Sequence, residues 1–285
     1  MADTLPPIRD ALAQHGIRAD KRLGQHFLFD LNLTGRIARA AGDAGAPLSD
    51  GATIEIGPGP GGLTRALLAE NATVFAVERD ERVRPVLDDI AAAYPGKLNV
   101  LWGDALKIDC AALGAPPRRI VANLPYNVGT ELLIGWLANA KAFESLTLMF
   151  QAEVAERLVA TPSTKAYGRL SILTQWLCDA RILFTVTPKA FVPPPQVDSA
   201  VVQLVPRTQP LAPASIETLT RVTAAAFGQR RKMLRQSLKA LAAAAGMDGN
   251  GLCAAAGITP TDRAEDLTVE DFCRLANVLD KTART

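Results

Sequence analysis

Residues 121–130 read VANLPYNVGT, and the centre of that stretch, Asn123-Leu124-Pro125-Tyr126, sets an amide, a proline and an aromatic directly after a short apolar run. These types suit the capture of a flat ring that carries an amino group. The Asn123 side-chain oxygen and the Leu124 carbonyl can accept the two N–H bonds of an exocyclic amine. Pro125 restricts the residue before it to extended geometry and so fixes where that carbonyl points. Tyr126 offers a face on which a flipped-out base can stack. None of this needs a general base, which suits a chain with only two histidines, His15 and His26. A histidine-based zinc site or a Ser-His-Asp triad is poorly supplied by that inventory, and no metal is expected. Taken alone, the tetrapeptide also reads as a strand-to-turn element whose Tyr plugs the core.

Three stretches upstream of it could hold a ligand. EIGPGPGG contains Gly57, Gly59, Gly61 and Gly62 and fits both GxGxxG through Gly62 and ExGxGxG through Gly61. Either pattern lets a strand turn sharply into a helix while backbone N–H groups approach a ligand, an approach a Cβ would block. Glu78 closes the next apolar run, nineteen residues after Gly59. A carboxylate there can accept both ribose hydroxyls of an adenosine-bearing cofactor; the alternative is a surface acid paired with Arg79 or Arg82. Asp104, in LWGDA, can accept a hydrogen bond from an adenine amino group or serve as a helix cap. In that order the three specify an adenosine ligand and leave open whether it carries hydride or methyl.

The elements that must position these residues are legible as alternating runs. ATIEIG (52–57), TVFAVERD (73–80), LNVLWGD (98–104), RRIVANL (118–124) and LTLMFQ (146–151) read as strands, with helical spacing between them. That alternation predicts an α/β fold, a parallel doubly wound sheet with helices on both faces and its ligand at the carboxyl ends of the strands. ARILFTVTP and DSAVVQLVP, joined by the proline-rich AFVPPPQVD, suit an antiparallel edge of the same sheet. Residues 206–213 read as a linker, and the Ala-rich sequence beyond is helical. After Pro260 another helix follows, with Thr268 and Asp271 spaced as a capping box. The expected organisation is a catalytic domain over 1–206, with an N-terminal arm over 1–30, and a small all-α domain over 207–285.

The 48% hydrophobic content suits a soluble globular chain, and no stretch approaches the ~18 apolar residues of a membrane helix. MADTLPPIRD lacks the basic-then-apolar pattern of a signal peptide. Four cysteines without CxxC pairing read as reduced thiols, which points to the cytoplasm. The net charge of +2 hides an asymmetry, since residues 181–239 carry nine Lys/Arg against only Asp198 and Glu217. Arg230, Arg231, Lys232, Arg235 and Lys239 fall within FGQRRKMLRQSLKAL. Read as one helix, this places Arg231 and Arg235 a turn apart, able to neutralise the phosphates of a folded RNA. A solvated basic face is the plain alternative.

Asn123-Leu124-Pro125-Tyr126 resembles the Asn/Asp-Pro-Pro-Tyr signature of methyltransferases that act on exocyclic amino groups of bases, and so favours methyl over hydride. With KRLGQHFL, EIGPGPGGLT, VFAVERD, GDA, NLPYNV, KAYGRLS, FVPPPQVDSAVV and FGQRRKMLRQSL, the chain from Lys21 to beyond Leu238 resembles the small-subunit (16S) rRNA adenine dimethyltransferase family. The resemblance implies a Rossmann-like class I methyltransferase sheet with a small C-terminal all-α domain. It implies S-adenosylmethionine as cofactor and N6,N6-dimethylation of two adjacent adenosines in the 3'-terminal hairpin of small-subunit rRNA, linked to subunit maturation. The partner would be a partly assembled 30S subunit, met by a monomer without membrane attachment.

Carried over by residue, an arm around Gln25, His26 and Leu28 would lie across the cofactor. Gly57 would face its methionyl part, Glu78 its ribose and Asp104 its adenine, while Asn123 would touch both cofactor and target amine. Phe191 would lie across the target base from Tyr126, or simply anchor its proline-rich loop. Two positions depart from the pattern: His26 stands where the family more often has Asn, and Val-Gly-Thr replaces the commoner Ile-Ser-Thr after NLPYN. Three rivals are a large-subunit rRNA methyltransferase of the macrolide-resistance type, a non-catalytic assembly or transcription factor, and an NAD-dependent dehydrogenase. The Pro-Gly-Pro-Gly-Gly run and FVPPPQVDSAVV favour the small-subunit enzyme over the first. Intact Asn123-Leu124-Pro125-Tyr126 and Glu78 argue against the second, and the want of a proton-relay His against the third.

Overall fold

A computed structural model describes residues 5–19 and 25–282. The chain divides into two units, Met1–Ala155 with Arg181–Pro206, and Glu156–Ala180 with Arg207–Thr285.

In the first unit, α1 (Ile8–Gln14), β1 (Phe27–Leu28) and α2 (Leu31–Gly42) precede the main sheet. There follow β2 (Ala52–Ile56), α3 (Gly62–Ala69), β3 (Val74–Glu78), α4 (Arg84–Ala93), β4 (Leu98–Trp102), β5 (Arg118–Asn123), α5 (Gly129–Leu137) and β6 (Ser145–Gln151). Helix α6 (Ala152–Val159) leads out of this unit to α7 (Arg169–Leu177), which belongs to the second, and β7 (Cys178–Val186), β8 (Phe191–Val192) and β9 (Ser199–Pro206) complete the strands. Seven strands form one sheet in the order β4-β3-β2-β5-β6-β9-β7. The pairs from β4 to β6 are parallel, and β9 runs antiparallel to β6. Every residue of β2 is buried, as befits the centre of a sheet covered on both faces. Strand β2 has β3 on one side and β5 on the other, so the strand order reverses there and a crevice opens at the carboxyl ends. The five expected parallel strands all form.

The second unit comprises α8 (Ile216–Gly228), α9 (Leu234–Ser237), α10 (Lys239–Ala244), α11 (Gly249–Ala255) and α12 (Val269–Thr282), together with α7. The domain expected to run unbroken over 1–206 is interrupted, because residues 156–180 belong to the helical unit. The reason is burial: Tyr167, Ile172 and Trp176 share a core cluster with Leu219, Val222 and Phe272. The Trp176 indole N–H, which needs an acceptor once buried, donates to the Ala212 carbonyl at 2.7 Å. Before α12 the capping box forms as expected, with the Asp271 carboxylate accepting from Thr268 N and the Thr268 hydroxyl accepting from Asp271 N. Among the described residues no helix is long and apolar enough to cross a membrane.

Candidate active site

Strand β2 ends at Ile56 and the chain turns through the glycine loop into α3. Gly59 takes φ of +53° and aims its N–H at the Glu78 carboxylate, donating to Oε2 at 2.9 Å. A Cβ on Gly62 would lie 2.4 Å from the Leu28 carbonyl oxygen, so only glycine admits the arm at this point. At the end of β3, Glu78 Oε1 accepts from Arg79 N at 2.8 Å and Asp80 N at 2.7 Å. Three backbone donors therefore hold one carboxylate in place. Burial pushes its pKa up, while those donors pull the other way.

A second carboxylate, Glu55, is 2% exposed and accepts the Thr64 hydroxyl at 2.6 Å. Burial pushes its pKa from 4.5 to about 8, against the Thr64 bonds that lower it. The folded protein thus retains a proton that the unfolded chain releases. Its contribution to stability is fully present below 4.5 and is lost as pH rises toward about 8. Each tenfold gain in proton affinity is worth ~1.4 kcal/mol, so the whole contribution is on the order of a few kcal/mol. Glu55→Gln is expected to flatten the dependence, and denaturant midpoints of both proteins at mildly acidic and mildly alkaline pH check it. Parallel curves for the two would refute the assignment.

Asn123 closes β5. Its Nδ2 donates to the His26 carbonyl at 3.1 Å, which spends the donor end of the amide on the arm and leaves Oδ1 as an acceptor. Leu124 is buried at 2%, and no backbone N–H among the described residues donates to its carbonyl. The Pro125 carbonyl accepts from Val128 N and Gly129 N and so starts α5. The Tyr126 hydroxyl shares a 2.7 Å hydrogen bond with Ser199, and burial raises the phenol's pKa.

The arm crosses this ground. Gln25 Nε2 donates to Asp80 Oδ2 at 2.8 Å, and Arg82 bonds both Asp80 oxygens and holds that carboxyl below its usual range. His26 Nδ1 lies 2.8 Å from the Pro193 carbonyl, and β1 pairs with β8 through Phe27↔Val192 and Leu28↔Phe191.

A cavity of about 210 Å³ results. His26, Leu28, Gly57, Glu78 and Asp104 line it together with the whole Asn123-Leu124-Pro125-Tyr126 element. Asp104 also caps a helical turn, accepting from Leu106 N at 3.1 Å, so the two roles weighed for it are compatible. Phe191 is not on the cavity wall: it is 2% exposed and meets the His26 ring edge-on at 6.4 Å. Two residues of the site went unread in the sequence. Glu55 had a signal, as the first position of ExGxGxG, whereas Asp80, which latches Gln25, had none.

The basic stretch departs from expectation. Helix α8 stops at Gly228, residues 229–232 turn, and Met233 bridges to Arg263, so Arg231 and Arg235 do not share one helix. Arg230 is committed to contacts inside its own unit. Its guanidinium bonds Glu265 at 2.8 Å and the carbonyls of Tyr167 and Thr164 at 3.0 Å each, which satisfies groups inside the helical unit. Arg231 and Lys232 are exposed, while Arg235 is half-buried with Nη2 at 3.5 Å from the Met233 sulfur. Arg230→Ala is expected to destabilise the fold by ~1–3 kcal/mol through its orphaned partners. Arg231→Ala and Lys232→Ala should each reduce the salt slope of RNA binding by about 1. Thermal melts and binding titrations at several salt concentrations separate the two kinds of arginine.

The model of the ribosomal RNA adenine dimethylase family matches residues 16–281. The chain is 63% identical over 279 residues to ribosomal RNA small subunit methyltransferase A of Rhodospirillum rubrum, covering 98% of this chain and 94% of that protein. It is 61% identical over 286 residues to the protein of the same name from Paramagnetospirillum magneticum, covering 100% and 98%. Among solved structures, the 23S rRNA methyltransferase ErmE is 28% identical with a TM-score of 0.63, covering 89% of this chain and 99% of that one. A dimethyladenosine transferase from Plasmodium falciparum, at 24% identity and a TM-score of 0.74, covers 90% of this chain and 98% of its own and shares the fold. The fold is that of a class I methyltransferase. Because the family match runs through both units, the chain belongs to the ribosomal RNA adenine dimethylases and is an rRNA adenine N6,N6-dimethyltransferase.

Proposed function

We propose that this enzyme dimethylates N6 of two adjacent adenosines in the 3'-terminal hairpin of small-subunit rRNA, with S-adenosylmethionine as donor, on a partly assembled 30S subunit and as a monomer in the cytoplasm. The observation that carries this reading is the Asn123 amide, tethered to the arm by Nδ2 on the wall of the cavity that also holds Gly57, Glu78 and Asp104. The residues fit the cofactor: the Glu78 and Asp104 carboxyl groups line the cavity beside the glycine turn as acceptors suited to ribose hydroxyls and an adenine amino group. When bound, the cofactor supplies an electrophilic methyl group.

The chain's own residues do the rest. Gly57 admits the methionyl part, Glu78 takes the ribose hydroxyls, Asp104 takes the adenine amino group, and His26 and Leu28 close over the ligand through the arm. Adenine's amino nitrogen is a poor nucleophile because its lone pair is delocalised into the ring. Asn123 Oδ1 and the Leu124 carbonyl accept its two N–H bonds, favour a pyramidal nitrogen and turn the lone pair toward the methyl. Pro125 fixes the direction of that carbonyl. Tyr126, anchored through Ser199, stacks the extruded base, and Phe191 backs the far side of the seat. Arg231, Lys232 and Arg235 contact RNA phosphates.

Tyr126→Ala is expected to weaken base capture by ~1–3 kcal/mol, read as a raised KM for RNA. An unchanged KM and rate would remove that role. The substrate is tested by giving purified enzyme labelled cofactor with undermethylated small and large subunits in parallel. Label in small-subunit rRNA alone supports the reading, and label in the large subunit overturns it.

A further inference from the structure

The face of Tyr126 already holds a ring. The His26 imidazole lies against it with centroids 5.4 Å apart and planes inclined by 30°, within the range of paired aromatic side chains. The same imidazole meets Phe191 edge-on at 6.4 Å and 81°. Its Nδ1 sits 2.8 Å from the Pro193 carbonyl, which can only accept, so Nδ1 carries the proton of this bond. Tyr126 is held at its hydroxyl by the hydrogen bond to Ser199, which limits how freely the ring pair drifts apart. A flat five-membered heteroaromatic is thereby seated where the reading above places the target base.

We propose that the His26 imidazole is a resident stand-in for the adenine: it fills the stacking face of Tyr126 in the RNA-free enzyme and leaves it when the extruded base enters. This inference rests on the assignment of Tyr126 as the stacking platform. The exchange is geometrically cheap. Rotation about χ1 removes the ring while the His26 carbonyl keeps the Asn123 amide, so the catalytic amide stays oriented as the seat empties. It is also selective. An incoming base must replace one stacked ring and one hydrogen bond, which a large purine face repays better than a small pyrimidine one. His26 would thus act as a specificity-determining residue as well as a cover for an apolar seat.

The chain has only two histidines, so imidazole C–H resonances are resolved by NMR without labelling schemes. In the free enzyme those of His26 should be displaced by the ring current of Tyr126, and Tyr126→Leu should abolish the displacement. Saturation with the substrate hairpin RNA in the presence of S-adenosylhomocysteine should move the His26 signals toward free-peptide positions while those of His15 stay. His26→Ala and His26→Asn should each bind that RNA about 3- to 10-fold more tightly. His26 signals unmoved by saturating RNA, or RNA binding unchanged or weakened in both variants, would overturn the proposal. If Tyr126→Ala also leaves the KM for RNA unchanged, the stacking platform itself is wrong. If Tyr126→Ala weakens capture while His26 stays in place, only the stand-in role falls.

Discussion

Asn123→Ala should lower methyl transfer by ~10²–10³, the usual loss when one oriented polar contact to a reacting group is removed. The loss should appear in kcat, because the contact gains most of its strength as the nitrogen becomes pyramidal. Cofactor affinity should stay within a few-fold, since the amide reaches the arm through one neutral hydrogen bond, worth ~0.5–1.5 kcal/mol. Asn123→Asp sharpens the point. An ionised carboxylate keeps an acceptor for the amine but cannot donate to the His26 carbonyl. That variant should retain more kcat than alanine while raising the KM for the cofactor. Single-turnover rates on undermethylated small subunits, with calorimetry for the cofactor, measure both quantities. Near-normal turnover by Asn123→Ala would refute the mechanism.

Glu78→Ala carries the second large effect, and it falls on binding. The carboxylate holds the N–H groups of Gly59, Arg79 and Asp80, and each donor left buried without an acceptor costs ~1–3 kcal/mol. Losing all three loosens the glycine loop as well as the ribose contact, so cofactor affinity should fall by at least ~100-fold and the melting temperature should drop with it. Glu78→Gln keeps the shape and one acceptor oxygen and should lose less in both measures. Wild-type cofactor affinity in Glu78→Ala would remove the carboxylate from the site.

Where a function is written in neighbouring residues, the sequence was readable. The glycine loop, Glu78, Asp104 and Asn123-Leu124-Pro125-Tyr126 each sit at a strand end, and the alternation of apolar runs places strand ends together without further information. Contacts between distant segments left no local trace. The Asn123 amide meets the His26 carbonyl across 97 residues, and the Gln25 latch on Asp80 spans 55. Arg230 shows a further limit: a basic cluster reads alike whether its members face solvent or turn inward, and only the placement of Glu265 and two carbonyls decides. Gly228 is a different matter. A glycine just ahead of the arginines weakens a helix at that point, and α8 ends on it.

The helical unit takes its residues from two separate stretches of chain, 156–180 and 207–285. A protease nick after Pro206 would therefore not release it, and a chain terminated there would strand Tyr167, Ile172 and Trp176 without the partners that bury them. Transplanting the unit between relatives requires both stretches to travel together. An inherited exchange of the C-terminal tail alone would pair one enzyme's α7 with another's helices, and only tails whose side chains still interlock with that helix could persist.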